Sequence, residues 1–78
     1  MSETVISLDS VEKVKKFVSA ATEFNSEMDL VSDRYVIDAK SIMGIFSMNL
    51  SKPMILRIYE KGEKAEDIMK ALEEYVVV

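Results

Sequence analysis

The chain contains no cysteine and no histidine. Without Cys there is no disulfide, no thiolate nucleophile and no Cys-ligated metal, and nothing points to an oxidising compartment. Without His the commonest metal ligand and the commonest general base near neutral pH are both gone. A metal would have to be a hard cation held by carboxylates; no metal or cofactor is expected. Positive charge is also scarce: Lys and Arg number 10 against 14 Asp and Glu, for a net charge of −4. The densest basic cluster is Lys13, Lys15 and Lys16, and Glu12 and Glu23 dilute it. A duplex-binding surface needs clustered cations, so nucleic acid is not expected as a direct partner. No apolar run approaches the ~20 residues of a membrane span. Met1-Ser2-Glu3-Thr4 has neither a basic segment nor a signal-like apolar stretch. No membrane association is expected, and the chain reads as cytoplasmic.

What is present suits one small domain, residues 1–78, with one core. A domain of this size buries only about 60% of the surface its unfolded chain exposes, so modest stability is expected. Hydrophobic residues make up 49% and charged residues 31%, the balance of a globular fold. Thr4–Leu8 is short, apolar and β-branched, and predicts a strand. Asp9 and Ser10 then offer helix N-cap oxygens, and Asp9 with Glu12 has capping-box spacing. Val11, Val14, Phe17, Val18 and Ala21 fall at helical spacing, which predicts a helix ending near Glu23–Asn25.

Met28 and Leu30 alternate with Glu27 and Asp29, a half-buried strand. Ser32-Asp33-Arg34 is a turn, and Tyr35–Asp38 the returning strand. Ser41 caps a very short helix, Ile42–Phe46, and Ser51-Lys52-Pro53 breaks the chain. Met54, Leu56 and Ile58 mark another strand. Ala65, Ile68, Met69, Leu72 and Tyr75 predict a last helix over about Lys64–Val76, with Glu66 and Lys70 paired along it. The order β-α-β-β-(short α)-β-α argues for an α+β fold, one antiparallel sheet with helices on one face.

Lys40-Ser41-Ile42-Met43-Gly44, set within Val36–Met48, resembles the regulatory-serine segment of the HPr proteins of the sugar phosphotransferase system. The resemblance runs back through Thr22–Leu30 and forward through Leu56–Gly62 into Asp67–Glu74. It implies the family's open-faced β-sandwich: a four-stranded antiparallel sheet with two long helices and one short helix on one face. It also implies that Ser41 is the serine a dedicated HPr kinase phosphorylates. A docking surface of Lys40, Ile42, Met43 and Phe46 would then meet protein partners, among them that kinase and a catabolite-control transcription regulator.

The departures carry as much weight. The family's phosphoacceptor histidine sits on a loop before the first helix, followed by an arginine and a proline. Here Ser10 stands at the degenerate phosphoacceptor position, Glu12 falls where the arginine would be, and the proline is absent. Ser10 has no His or Cys neighbour to activate it, and Glu12 repels a phosphoryl group. A serine ester also has far lower transfer potential than phosphohistidine. The chain is therefore expected not to be an enzyme and not to carry phosphohistidine.

Its leading reading is a protein-binding regulator in carbon catabolite control, switched at Ser41; family members without the histidine that keep the serine act in that role. Two alternatives stay open: a phosphocarrier component in the family's usual sense, or a scaffold module outside sugar transport with Ser41 only a helix cap. Glu63, Glu66, Asp67, Glu73 and Glu74 read as the solvated face of the last helix rather than a metal site. Phe17, Phe24 and Tyr75 read as core aromatics.

Overall fold

The computed structural model describes residues 1–77. Strand β1 spans Ser2–Ile6, helix α1 Val11–Ala21, β2 Met28–Ser32, β3 Tyr35–Asp38, α2 Ile42–Phe46, β4 Met54–Ile58 and α3 Glu63–Ala71, followed by a 3-10 turn over Glu73–Tyr75. The four strands form one sheet in the order β1-β4-β2-β3, and every neighbouring pair is antiparallel. This is the element order and the sheet that the periodicities and the family resemblance predict.

Side chains alternate across a strand, so register decides which residues meet the helices. Ile6 pairs with Met54, Leu56 with Leu30, and Ile58 with Met28. All six are buried, and they form the sheet side of the core. Val14, Phe17 and Ala21 of α1, Ile45 of α2 and Ile68 of α3 close it from above. The Phe17 ring meets Tyr75 edge to face, with centroids 5.5 Å apart. Burying each of the larger side chains stabilises the fold by about 1.5–3 kcal/mol.

The other sheet face is uncovered and falls into two rows. Val5, Ile55, Val31 and Val36 are successive register partners across all four strands, and Glu3, Arg57, Asp29 and Asp38 form a charged row beside them. Arg57 Nε donates to Glu3 at 2.7 Å, and the Tyr59 hydroxyl donates to Asp29 at 2.9 Å. The β2–β3 hairpin turns at Asp33, whose φ of 52° is a left-handed conformation that Asp tolerates. Among the described residues no helix is long and apolar enough to cross a membrane.

Four expectations need correction. β1 begins at Ser2 and ends at Ile6, earlier than Thr4–Leu8; Leu8 is buried but lies past the strand. α3 stops at Ala71, because Ser7 N–H donates to the Tyr75 carbonyl and Val77 N–H to that of Val5. Those two bonds draw residues 75–77 onto the edge of β1 and off the helix axis. Glu66 and Lys70 are not an ion pair; Lys64 instead meets Glu60 at 3.7 Å. Finally, Val11 is exposed and Phe24 only half-buried, so the α1 stripe begins in the core at Val14.

Candidate functional site

The connection from β1 to α1 is short. Ser7, Leu8 and Asp9 lead directly to Ser10, which is extended (φ −147°) and caps α1 by accepting from Lys13 N–H at 3.1 Å. Asp9 does not cap; its carboxylate pairs with the Lys13 ammonium at 2.9 Å, which holds its pKa below the usual range, first by hydrogen bonding and then by charge. Glu12 meets Lys16 at 3.5 Å. Ser10 is thus a helix cap, with no intervening loop and with carboxylates at residues 9 and 12. Ser10→Ala should lower stability by ~1 kcal/mol in a denaturant titration, the usual cost of losing such a cap. A midpoint unchanged by Ser10→Ala but lowered by Asp9→Ala would show that the wrong residue has been assigned the cap.

The second group of residues gathers at α2. Asp38 ends β3, and its carbonyl accepts from Ser41 N–H at 3.0 Å while its side chain accepts from Lys40 N–H at 2.9 Å. This tight turn delivers Ser41 to the start of α2. The Ser41 hydroxyl oxygen accepts from Gly44 N–H at 3.1 Å, satisfying one of the helix's orphan donors. Ser41 is half-buried, and one hydroxyl lone pair is occupied. Its O–H hydrogen and remaining lone pair are not needed by the cap.

Gly44 is required by close packing, a role the sequence reading missed. A Cβ there would lie 2.6 Å from Ile37 Cγ2 and 3.0 Å from the Ser41 hydroxyl oxygen. Only glycine lets α2 sit this close to β3 while keeping the cap.

The side chains of α2 divide sharply. Ile45 is fully buried and anchors the helix. Ile42 is half-buried against the core. Met43 is 78% exposed and Phe46 39% exposed. Ile42, Met43 and Phe46 are therefore brought together on one short helix beside Ser41. Lys40 is placed differently: its ammonium donates to the Phe24 carbonyl at 2.5 Å and ties β3's end to the segment after α1. The acidic residues of α3 and its 3-10 turn, Glu63, Glu66, Asp67, Glu73 and Glu74, are exposed.

A sheet ordered β1-β4-β2-β3 under helices on one face, with a serine-capped apolar helix at its end, defines an open-faced β-sandwich of the phosphocarrier class. Residues 12–77 match the sequence model described as the PTS HPr component phosphorylation site, and the chain belongs to the HPr family. The HPr-like protein Crh of Bacillus subtilis is 33% identical over 60 residues, which span 77% of this chain and 71% of that protein. The HPr-like protein Crh of Halalkalibacterium halodurans is 30% identical over 60 residues, with the same coverage. Among solved structures, HPr-C-His from Thermoanaerobacter tengcongensis superposes with a TM-score of 0.73 at 29% identity, covering 95% of this chain and 89% of that one. The phosphocarrier protein HPr from Bacillus anthracis gives 0.71 at 28% identity, covering 97% and 94%. Membership supports a phosphocarrier-like or regulatory role.

Proposed function

We propose that this protein is a non-catalytic, protein-binding regulator of the HPr family, acting in the control of carbon-source use by the sugar phosphotransferase system and switched by phosphorylation of Ser41. The observation that carries the reading is the exposure of Met43 and Phe46 on a helix whose neighbouring Ile45 is fully buried. A rigidly anchored helix presenting two adaptable apolar side chains suits a docking site. Similarity to two proteins named HPr-like supports the same reading. The partners in this proposal are an HPr kinase and a catabolite-control transcription regulator, met in the cytoplasm through Ile42, Met43 and Phe46. Lys40 contributes by holding the turn before Ser41 rather than by offering a free charge.

Phosphorylation of Ser41 adds about −1.5 to −2 charge beside Met43. It does so where the first-turn N–H groups of α2 face the anion, so the fold tolerates the group while the apolar docking surface gains negative charge.

The test is treatment with ATP and an HPr kinase, followed by mass spectrometry of the peptide that contains Ser41. One phosphate on Ser41, absent in Ser41→Ala, is expected. Ser41→Asp should melt within ~4–8 °C of the natural protein, the shift that about 1 kcal/mol produces in a domain of this size. A second reading has its own support: the Ser41 hydroxyl is half-buried and already engaged as a cap. If the kinase leaves Ser41 unmodified while Met43→Glu still abolishes partner binding, the protein is a docking module without the switch.

A further inference from the structure

The sheet face turned away from the helices carries its charge unevenly. Glu3, Arg57, Asp29 and Asp38 are successive register partners across it, three carboxylates against one guanidinium. Glu3 holds that guanidinium at 2.7 Å. Among the described residues neither Asp29 nor Asp38 is in an ion pair, and the neighbouring Lys40 ammonium is turned to the Phe24 carbonyl. The Tyr59 hydroxyl donates to Asp29 and the Lys40 N–H to Asp38, but neither brings a positive charge. Ala39 N–H donates to the Met28 carbonyl at 3.0 Å, which makes these two a hydrogen-bonded pair of the β2–β3 ladder. By alternation Asp29 and Asp38 form the adjacent non-hydrogen-bonded pair, the kind whose side chains stand closer. Like charges directly opposite one another are destabilising.

The apolar row beside this one lies open: Ile55 is 37% and Val36 58% exposed, with Val5 and Val31 half-buried in the same row. At its β1–β4 end a hollow of about 240 Å³ is lined by Glu3, Thr4, Val5 and Ile55. It has room for one large aliphatic side chain. The opposed carboxylates lie at the other end, on β2 and β3. Two strand spacings of about 4.8 Å separate the two features, roughly two turns of an α-helix.

We propose that this face docks a cationic amphipathic helix of a partner protein, with an aliphatic side chain in the hollow and, two turns on, an arginine between Asp29 and Asp38. Charge complementarity selects the occupant. An anionic lipid surface or a nucleic acid would bring phosphates against carboxylates. A second copy would bring the same net-negative row, whose one guanidinium is already held by Glu3. A cationic helix relieves the opposed carboxylates and covers the apolar row, as α1 and α3 cover the other face of the sheet. Arginine fits better than lysine, because its planar fork presents several donors to the two carboxylates at once. The face is the one opposite the helices, so the inference stands apart from the reading of α2.

The probe is a blocked peptide of about 15 residues, long enough to form a helix, with leucines along one face and arginines along its flank. It is titrated into isotope-labelled protein at low salt and followed by NMR. Saturable shifts are expected at the methyls of Val5, Val31, Val36 and Ile55 and at the Asp29 and Asp38 amides, with none at the Met43 methyl. The double variant Asp29→Asn, Asp38→Asn keeps the acceptors and removes the like charges. It should bind the peptide about fivefold more weakly, the loss of two exposed charge pairs, and with a flatter salt dependence. Without peptide it should melt no lower than the natural protein, since the opposed charges are gone. Should the double variant fail to fold, Val36→Lys tests the apolar row at an exposed edge position that accepts lysine, and should weaken the peptide by about tenfold or more. Equal affinity of the natural protein for a peptide with glutamate in place of every arginine overturns the proposal. So do undiminished binding by the double variant and shifts centred on Met43 and Phe46. Shifts of the same methyls with anionic lipid vesicles, or self-association that Val36→Lys abolishes, would name a different occupant and overturn it as well.

Discussion

Phe17→Ala is expected to remove most of the folding free energy. Phe17 is fully buried and its ring packs edge to face on Tyr75. Tyr75 in turn supplies the carbonyl that holds Ser7, so the contact links α1 to the segment that closes the edge of β1. Truncating a buried Phe to Ala costs about 3–5 kcal/mol through lost transfer energy and the cavity left behind. A domain of this length has a total stability of about 4–12 kcal/mol at ~0.05–0.15 kcal/mol per residue. The variant should therefore be largely unfolded, or melt far below the natural protein, in a urea titration followed by circular dichroism. Val11→Ala is the matched comparison, because Val11 belongs to the same helix but is exposed. If the two variants share a urea midpoint, the core has been placed in the wrong part of α1.

The contrast between Phe17 and Val11 also shows what could be read from sequence. Spacing at Val14, Phe17 and Ala21 specifies the buried face of α1, since only residues three and four apart share a helix face. It does not say how far the sheet extends beneath that face, and so it includes Val11. β2 and β4 were legible because each has one buried and one more open side, which imposes alternation; β3 holds no buried residue and was legible only as the strand that returns from the turn at Ser32-Asp33-Arg34. The start of β1 was hidden for the opposite reason. Ser2 and Thr4 occupy the helix side of the sheet but line a trough instead of filling the core, so they carry no apolar signal.

The end of α3 shows a different failure. Leu72 and Tyr75 continue the helical stripe and are buried, but the backbone has already turned. Two signals oppose a longer helix there: Glu73 and Glu74 lie at the unfavourable negative end of the dipole, and the last residues are β-branched valines. Their pull appears only once β1 is in place to accept them. At α2, Ser41 as cap was legible from residue type and position, and the surface of Ile42, Met43 and Phe46 from the family resemblance. The need for Gly44 was not, because its reason is Ile37, a residue on another element.

The second large effect concerns phosphoryl transfer. Incubated with phosphoenolpyruvate and a phosphorylated enzyme I, the natural chain is expected to take up no acid-labile phosphate. The chain has no histidine, so no P–N bond of the usual kind can form. Ser10 has its oxygen engaged with Lys13 N–H as the cap of α1. No His or Cys activates its hydroxyl, and at neutral pH a bare serine is a weak nucleophile. Only Ser7, Leu8 and Asp9 separate β1 from the cap, too little chain to form a loop that could enter a partner's active site. The carboxylates of Asp9 and Glu12 flank the cap, and although Lys13 and Lys16 pair with them, they place no free cation where an incoming phosphate needs one.

The chemical stability of the label separates the outcomes. Phosphohistidine hydrolyses in acid, whereas a serine ester survives acid and is lost in base. Acid-labile label on this chain would overturn the account of the lost carrier site. Acid-stable label dependent on enzyme I and absent from Ser10→Ala would show that the cap serine accepts phosphate after all. The double variant Ser10→His, Glu12→Arg then measures what the backbone itself contributes. With the residues restored but the short connection retained, uptake should stay far below that of a phosphocarrier HPr, because reach as well as chemistry is missing; recovery to full uptake would mean that the two side chains alone account for the loss.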